Sequence, residues 1–280
     1  MLEPILFWGR FAAIALIIAG ALLLARNGGS RLVVLREFAL MAGGYLIYSR
    51  VRDVTTGSQS FAVTNAHNIQ AAEHALGIGW EASWQDAVID NRWLVRMVNN
   101  DYIYGHWPLI AVVAAWLFFR HRSEYYLMRT AFFISGSIGL IVFAFWPVAP
   151  PRLAQAGMVD TISVRNHIYT ALQPNSITNQ FAAMPSLHFG WDLLIGIAIV
   201  RCGPRGWRWL GVVPPALMLF SIVATGNHYL LDAAAGAAVS VFALGAAFAI
   251  RYSPLPSLDR LPTLARDGAA QARQTFLSLF

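Results

Sequence analysis

The stretch "AAMPSLHFGWDLL", residues 182–194, places a histidine and an aspartate four residues apart in an otherwise apolar run. A second stretch, "TGNHYLLDAAAG" at 225–236, repeats this spacing with His228 and Asp232. Residues four apart share one helix face, so Asp232 can accept a hydrogen bond from His228 and leave the other ring nitrogen free to react. Ionisable groups in apolar spans are costly to insert, and function is the default explanation for them.

The composition is that of an integral membrane protein. Of the 280 residues, 57% are hydrophobic and only 12% are charged, and the mean hydropathy is +0.53. Soluble domains carry roughly a quarter charged residues. The net charge of +6 does not indicate a nucleic-acid partner, because no basic helix or RNA-binding pattern accompanies it. The single Cys202 excludes an internal disulfide and a cysteine-ligated metal cluster.

Seven apolar stretches approach the roughly 20 residues that a membrane span needs. They are residues 5–25, 32–49, 103–119, 130–147, 184–200, 209–225 and 229–250. Four arginine clusters lie between them on alternate sides, and positive charge stays in the cytoplasm. The pattern therefore predicts a multi-pass protein of the inner (plasma) membrane, with its N-terminus outside and its tail inside.

This topology brings three polar stretches to the extracytoplasmic face. They are the loop 148–180, the start of the fifth span at Ser186 and His188, and the turn at Asn227 and His228. We therefore expect an active site at the outer membrane surface.

The chain divides into three predicted parts. Residues 1–31 are expected to form a transmembrane anchor that is retained, since no signal-peptide cleavage pattern follows it. Residues 32–251 form the membrane-embedded catalytic domain, and 252–280 a cytoplasmic tail. Within the domain, segment 53–100 is predicted to form amphipathic helices at the outer interface. Its solvated face is expected to carry His67, Glu73 and His74.

Two features suit a phosphate group. Pro185 fits a first helical turn, so the amides of Ser186 and Leu187 are expected to point out of a helix N-terminus towards an anion. Upstream, the stretch "WPVAPPRLAQ" at 146–155 has prolines that hold Arg152 near the membrane surface. A rigidly held guanidinium suits bidentate contact with phosphate oxygens.

The motif "MPSLH" followed by "GNHYLLD" resembles the second and third signature motifs of the type 2 phosphatidic acid phosphatase superfamily. With the upstream "APPR", the wording is most similar to the inositol-phosphorylceramide synthase branch, which consists of inositolphosphotransferases. The resemblance covers about residues 100–250. It implies an all-α fold, a six-helix membrane bundle, here with an extra N-terminal span.

The resemblance also implies roles. His228 would be the nucleophile that attacks phosphorus, Asp232 would orient it, and His188 would protonate the leaving alcohol. The phosphoryl oxygens would be bound by Arg152, Ser186 and Asn227. No metal or other cofactor is expected.

Two positions of the family pattern lack their usual cation. The third motif begins with Ser-Arg, where this chain has Ser221 and Ile222, and the first has a lysine where this chain has Phe145. The proline that follows the first-motif arginine is replaced by Leu153. A phosphodiester carries less charge than a monoester, so we hypothesise transfer of a phospho-headgroup rather than removal of a terminal phosphate.

Several further residues have two interpretations. Asp192 either orients His188 or bonds a neighbouring helix. Asn100, Tyr104 and His106, at the outer end of the third span, either bind a headgroup or form an interfacial cap. Arg52 and its neighbour Arg50 break the charge rule near the outer end of the second span, so they pair either with Asp53 or with an anionic substrate.

The predicted function is that of an integral membrane phosphotransferase. It would cleave a phospholipid or polyprenyl-phosphate ester in the outer leaflet through a phosphohistidine and pass the phospho-headgroup to an alcohol. A lipid phosphatase acting on phosphatidic acid or polyprenyl diphosphate is the alternative enzyme. Outside enzymes, an anionic-lipid binder or transporter, a polar pair joining two helices and a two-histidine, one-carboxylate metal site stay open. The donor, the acceptor and the oligomeric state are not determined.

Overall fold

Helices make up most of the part of the chain that the structure describes, a computed structural model covering residues 29–54, 57–154, 157–162 and 179–252. The α-helices are α1 Gly29–Val54, α2 Gln59–Leu76, α3 Glu81–Ile89, α4 Arg92–Asn100, α5 His106–Arg120, α6 Arg122–Phe145, α7 Leu187–Cys202, α8 Val213–Ala224 and α9 Leu230–Tyr252. A π-helical turn, Asp101–Gly105, joins α4 to α5, and a 3-10 segment, Arg205–Val212, leads into α8. Within these ranges the only β-type pairing is an isolated bridge between Val148 and Ala182. The predicted all-α class is confirmed.

Four of the described helical segments are long and apolar enough to cross a membrane. They are Arg92–Arg120, Arg122–Phe145, Arg205–Ala224 and Leu230–Tyr252. Helices also occupy the predicted spans 32–49 and 184–200, as α1 and the 16-residue α7. The chain is therefore an integral membrane protein with a helical bundle. The predicted span 5–25 lies outside the described residues.

Helix α7 lies at the centre of the bundle and packs against α5, α6, α8 and α9. Its buried side chains include Leu194 and Ala198, both 0% exposed, in the largest apolar cluster of the described residues. The same cluster takes Leu127 and Ala131 from α6 and Ala243 from α9. Because α7 begins at Leu187, this packing fixes where the "PSLH" motif emerges from the bundle.

The backbones of α7 and α9 approach each other closely where each helix has a glycine. A Cβ atom on Gly190 would lie 2.6 Å from the carbonyl oxygen of Gly236. A Cβ atom on Gly236 would lie 2.9 Å from the carbonyl carbon of Ser186, with the carbonyl oxygen nearer still. Small residues allow such contacts between membrane helices. The amide of Ser186 donates to the carbonyl of Asp232 at 2.9 Å across the same contact.

The far ends of these helices are joined by arginines. Arg201, near the end of α7, donates two hydrogen bonds to Glu124 of α6, at 3.0 and 3.1 Å. Arg251, near the end of α9, donates to the backbone of Ser123 at 3.2 Å. Arg201 and Arg251 belong to two different arginine clusters that are predicted to be cytoplasmic. Both therefore lie at the same end of the bundle, opposite His188.

One expectation for segment 53–100 is wrong: Glu73 is buried, whereas His67 and His74 are exposed as expected, and the place of the segment at the outer interface stays a prediction. Its last helix, α4, continues through the π-helical turn into a membrane-spanning segment. Helices α2 and α3 are packed against the bundle: Ala62 and Ala66 are 0% exposed, and Glu73, expected on a solvated face, is 1% exposed. Alanines at this spacing give α2 a flat apolar stripe, which allows it to cover the loops that carry the motifs.

We expect Gly236→Ala to lower the stability of the folded protein by about 1–3 kcal/mol, because the added methyl group overlaps the Ser186 backbone, which cannot move without separating α7 from α9. Thermal unfolding of the detergent-solubilised protein measures this. Gly245→Ala is the matched control on the same helix, because a Cβ atom there meets nothing within 4 Å. Equal stability of the two variants would contradict the close contact.

Candidate active site

His228 lies in the turn between α8 and α9 and is 5% exposed. The amides of His228 and Asn227 both donate to the carbonyl of Ile222 at 3.1 Å, and Gly226 takes a positive φ of 71° that lets the chain reverse. The Nδ1 atom of His228 lies 2.8 Å from the carbonyl oxygen of Ala183. A carbonyl can only accept, so Nδ1 carries the proton and Nε2 carries the lone pair. The neutral ring therefore has its free lone pair at Nε2.

Asp232 is 0% exposed and supports the same ring. Its Oδ2 atom accepts from the amide of Tyr229 at 2.9 Å and lies 3.3 Å from Nδ1 of His228. The hydrogen bond expected from the four-residue spacing is therefore present, but His228 shares its proton between Asp232 and the closer Ala183 carbonyl. The carbonyl was missed by sequence reasoning because a backbone acceptor leaves no trace in residue identity.

His188, on the first turn of α7, faces His228 across a ring-centroid distance of 6.1 Å. Its other neighbours are Tyr102, stacked at 4.6 Å, and His106, at 4.9 Å. Each imidazole needs its nitrogen within about 2.6–3.2 Å of the atom with which it exchanges a proton. For a phosphoryl group bound beside both rings, this requirement applies to His188 and the leaving oxygen, whereas His228 would have to contact phosphorus.

Ser186 is placed differently from the prediction. It is the N-cap residue of α7, so Pro185 precedes the helix rather than occupying its first turn. The Ser186 amide donates to Asp232, and its side chain accepts weakly, at 3.5 Å, from the amide of Phe189. The Ser186 amide is therefore not available to bind an anion, because it already donates to the backbone of α9.

Arg152 is brought to the His228 turn by two hydrogen bonds. Its amide donates to the carbonyl of Gly226 at 3.0 Å, and its Nε atom donates to Oδ1 of Asn227 at 3.0 Å. Asp160 lies 3.8 Å from the same Nε. Asn227 was expected to contact phosphate, but its oxygen is taken by Arg152 and its amide group donates to Thr225 at 2.8 Å. Asn227 thus positions Arg152.

Asp192 bonds His106 on a neighbouring helix rather than His188. Its Oδ1 atom lies 2.8 Å from Nδ1 of His106, and the two residues are 2% and 1% exposed. Of the two interpretations of Asp192, the pairing with a neighbouring helix is the one present. The three candidates at the outer end of the third span also separate: His106 is buried, whereas Asn100 is exposed and Tyr104 is 42% exposed.

A small cavity of about 70 Å³ adjoins His188, and His228 is not among its lining residues. Its walls include Tyr45, Tyr48 and Arg52 of α1, and Tyr102, His106 and Trp107. Arg52 donates to Asp53 at 3.5 Å and also lines this cavity, so the pairing with Asp53 is present and the pairing with an anionic substrate stays a prediction. This volume is below the roughly 300–1,000 Å³ typical of drug-sized ligand sites, so the cavity suits only a small molecule.

The two positions where the family pattern carries a cation hold apolar side chains that do not reach the histidines. Phe145 is 80% exposed at the end of α6, and Ile222 is 0% exposed in the core. Neither brings a charge to the histidines. Arg52, which comes from α1, was not counted among the motif residues and places one guanidinium beside His188.

Two buried acids of the covering helices cap α9. Glu81 accepts from the amide of Leu230 at 3.0 Å, and Glu73 accepts from the amide of Leu231 at 2.8 Å. Burial raises the pKa of the Glu73 carboxyl group to about 8. The hydrogen bond from the Leu231 amide lowers this pKa, whereas the hydrogen bond to Glu81 raises it. Two carboxyl groups that bond each other share a proton. Sequence reasoning missed this pair, although acids between apolar positions of a predicted helix were the available signal.

Among the described residues, no three His, Cys, Asp or Glu side chains are arranged to hold a metal ion. The two-histidine, one-carboxylate alternative therefore has no ligand set within these ranges.

A model of the PAP2 superfamily matches residues 67–246, well over half of the chain. The match begins in α2 and ends in α9, and it includes Arg152, His188, His228 and Asp232. No curated protein and no solved structure matches the chain. The superfamily named from the motifs is supported, whereas the inositol-phosphorylceramide synthase branch stays a prediction.

The Glu73–Glu81 pair predicts a pH-dependent stability. The pKa of Glu73 is raised from 4.5 to about 8 in the fold, so its contribution is full below pH 4.5 and is lost as the pH rises through about 8. We expect the melting temperature of the purified protein to fall between about pH 5 and pH 8, and Glu73→Gln to flatten that fall. Asp86→Asn, an exposed acid on α3, should leave the wild-type pH profile unchanged. A Glu73→Gln profile as steep as the wild type would contradict the assignment.

Proposed function

Because the chain belongs to the PAP2 superfamily, we propose that it is a membrane enzyme that transfers a phospho-headgroup between alcohols through a phosphohistidine at His228. Superfamily membership supports lipid phosphatase or phosphotransferase chemistry on a lipid phosphate in the bilayer. The single observation that supports this use of the site most strongly is the 6.1 Å separation of the His188 and His228 rings.

In the first half of the proposed reaction, Nε2 of His228 attacks phosphorus and forms a P–N bond. The P–O bond to the leaving alcohol breaks, and His188 gives that oxygen its proton. The Ala183 carbonyl and Asp232 hold the Nδ1 proton and stabilise the ring as positive charge develops on it. Arg152 stabilises the negative charge on the phosphoryl oxygens.

In the second half, the acceptor alcohol gives its proton to His188, which now acts as base. The acceptor oxygen attacks phosphorus, the P–N bond breaks, and Nε2 of His228 recovers its lone pair. His188 ends protonated, as it began.

Two observations favour transfer of a headgroup over removal of a terminal phosphate. Phe145 and Ile222 stand where the family pattern has two cations and Arg52 adds one, so the positive charge available for a dianionic monoester is lower by one. The cavity beside His188 offers room for a second alcohol, which a phosphatase that uses water does not need. A polyprenyl-phosphate or phosphatidic acid phosphatase is the alternative within the same chemistry.

The proposed location of the reaction is the extracytoplasmic face of the inner membrane. The support is the arginine pattern, in which Arg201 and Arg251 lie at the end of the bundle away from His188.

We expect the purified enzyme to acquire acid-labile label from a radiolabelled lipid substrate, and His228→Ala to abolish that label. His188→Ala should slow labelling by about 10²–10⁴-fold, the usual contribution of a general acid. His74→Ala, at an exposed histidine of α2, is the control and should label like the wild type. An anionic-lipid binder or transporter would show no label in any variant, and that result would overturn the proposal.

The choice of donor distinguishes the two enzyme classes. We expect radiolabelled phosphatidylglycerol or phosphatidylinositol to label the protein faster than phosphatidic acid does, because the site lacks two of the family's cations. Quenched single-turnover reactions measure the three rates. Rapid release of free phosphate from phosphatidic acid, with no labelling by either diester, would assign the chain to the phosphatases.

A further inference from the structure

We infer that His106, held by Asp192, binds the acceptor alcohol through a second hydroxyl on the carbon next to the reacting one. The acceptor class is therefore an alcohol with neighbouring hydroxyl groups. This inference rests on the proposed transfer reaction and assigns the acceptor side of the same site.

The His106–Asp192 pair defines which nitrogen of His106 is available. Nδ1 lies 2.8 Å from the Asp192 carboxylate, so Nδ1 carries the proton and Nε2 is left with a lone pair. The ring is 1% exposed, and Nε2 has no hydrogen-bond partner among the described residues. A buried polar atom without a partner is costly, so a group absent from the protein itself is expected to satisfy it.

His106 lines the cavity beside His188, which gives that missing group a place. Its ring centroid is 4.9 Å from that of His188, and the two rings are tilted by 45°. His188 does not donate to Nε2 of His106 in this arrangement. The two histidines thus line one cavity, and the unpartnered nitrogen of His106 belongs to its wall at the stage when His188 acts as base.

An alcohol has one hydroxyl proton, and in the second half-reaction that proton goes to His188. Nε2 of His106 therefore needs a different donor on the same molecule. Hydrogen bonds from hydroxyl groups are about 2.7–2.8 Å long. Hydroxyls on neighbouring carbons fit two nitrogens on adjacent rings. A simple monohydric alcohol leaves Nε2 unsatisfied.

The remaining walls suit such a molecule. Tyr48 and Tyr102 bring phenol groups to the cavity, and Trp107 and Trp191 give flat apolar surfaces on which carbon-bound hydrogens can pack. Arg52 lines the same space from α1, so the acceptor lies beside a cation that can also reach a phosphoryl oxygen bound next to His188.

The test separates labelling of the enzyme from transfer to the acceptor. The enzyme is first incubated with the radiolabelled lipid that labels it and is then mixed with propylene glycol or with n-propanol. The amount of labelled phosphoester formed with the added alcohol is compared with the amount of product formed with water. We expect the wild type to favour propylene glycol. His106→Gln should reduce transfer to propylene glycol about tenfold more than it reduces transfer to n-propanol or the labelling rate, the effect of losing one ordinary hydrogen bond.

Asp192→Asn gives a second test that keeps the side-chain size. The amide can donate to Nδ1 of His106 and so move the ring proton to Nε2, which converts the acceptor into a donor. A hydroxyl group can still accept from that nitrogen, so we expect a smaller selective loss of transfer to propylene glycol than in His106→Gln. His121→Gln makes the same chemical change as His106→Gln at the residue that follows α5 and should behave like the wild type.

Three outcomes would overturn the inference. An equal loss of labelling and transfer in His106→Gln would assign His106 to folding or to proton transfer with His188. Unchanged selectivity in both variants would remove the acceptor contact. Nitrogen NMR of isotope-labelled histidine needs no turnover. A His106 ring that carried its proton on Nε2, or that was cationic, would overturn the inference. Absence of label in the wild type with every lipid would instead reject the proposed function, and the NMR result would still decide the state of His106.

Discussion

The close approach of α7 to α9 is the constraint on which the site depends. Glycines at 190 and 236 let the two backbones touch, and the Ser186 amide then reaches the Asp232 carbonyl at 2.9 Å. This bond connects the residue that caps α7 to the residue that supports His228. Because His188 lies two residues after that cap, the separation of the two histidine rings follows from a backbone contact rather than from side-chain interactions between them.

Hydrogen bonds from the helices α2 and α3 add a second constraint. Asn65 donates to the carbonyl of Pro147 at 2.8 Å, and Gln85 donates to the carbonyl of Ala224 at 3.0 Å, so the loops after α6 and α8 are both attached to this cover. Glu73 and Glu81 hold the first amides of α9. Acidic groups at a helix N-terminus are stabilised by its dipole, which offsets part of the cost of burying them.

The histidines form a row, His106, His188 and His228, with an aspartate bonded to each end. A carboxylate or carbonyl fixes the protonated nitrogen of both outer rings, and the middle ring has no such partner among the described residues. Polar networks in a poorly solvated interior are strong when satisfied and costly when they are not. The middle ring therefore has neither nitrogen fixed by a protein partner, as an acid–base group requires.

The helix α1, which lies outside the residues matched to the superfamily, contributes walls to the cavity that His106 lines.

Local features of the sequence were sufficient for the class of the protein and for the contact between His228 and Asp232. Apolar runs predict helices wherever they occur, and the four-residue spacing of His228 and Asp232 predicts a contact that the helix itself produces. The equal spacing of His188 and Asp192 gives no such bond, because His106 from α5 offers Asp192 a donor at 2.8 Å. Helical spacing permits a pair without requiring one.

Contacts between distant segments were decided by packing alone. The burial of Glu73, the use of the Ser186 amide by Asp232, the Ala183 carbonyl at His228 and the cavity walls from α1 each join residues far apart in the chain. Motifs specify which side chains are present and how they are spaced along one helix. Which backbone carbonyl or neighbouring helix each side chain meets depends on how the helices pack, and that depends on surfaces contributed by the whole chain.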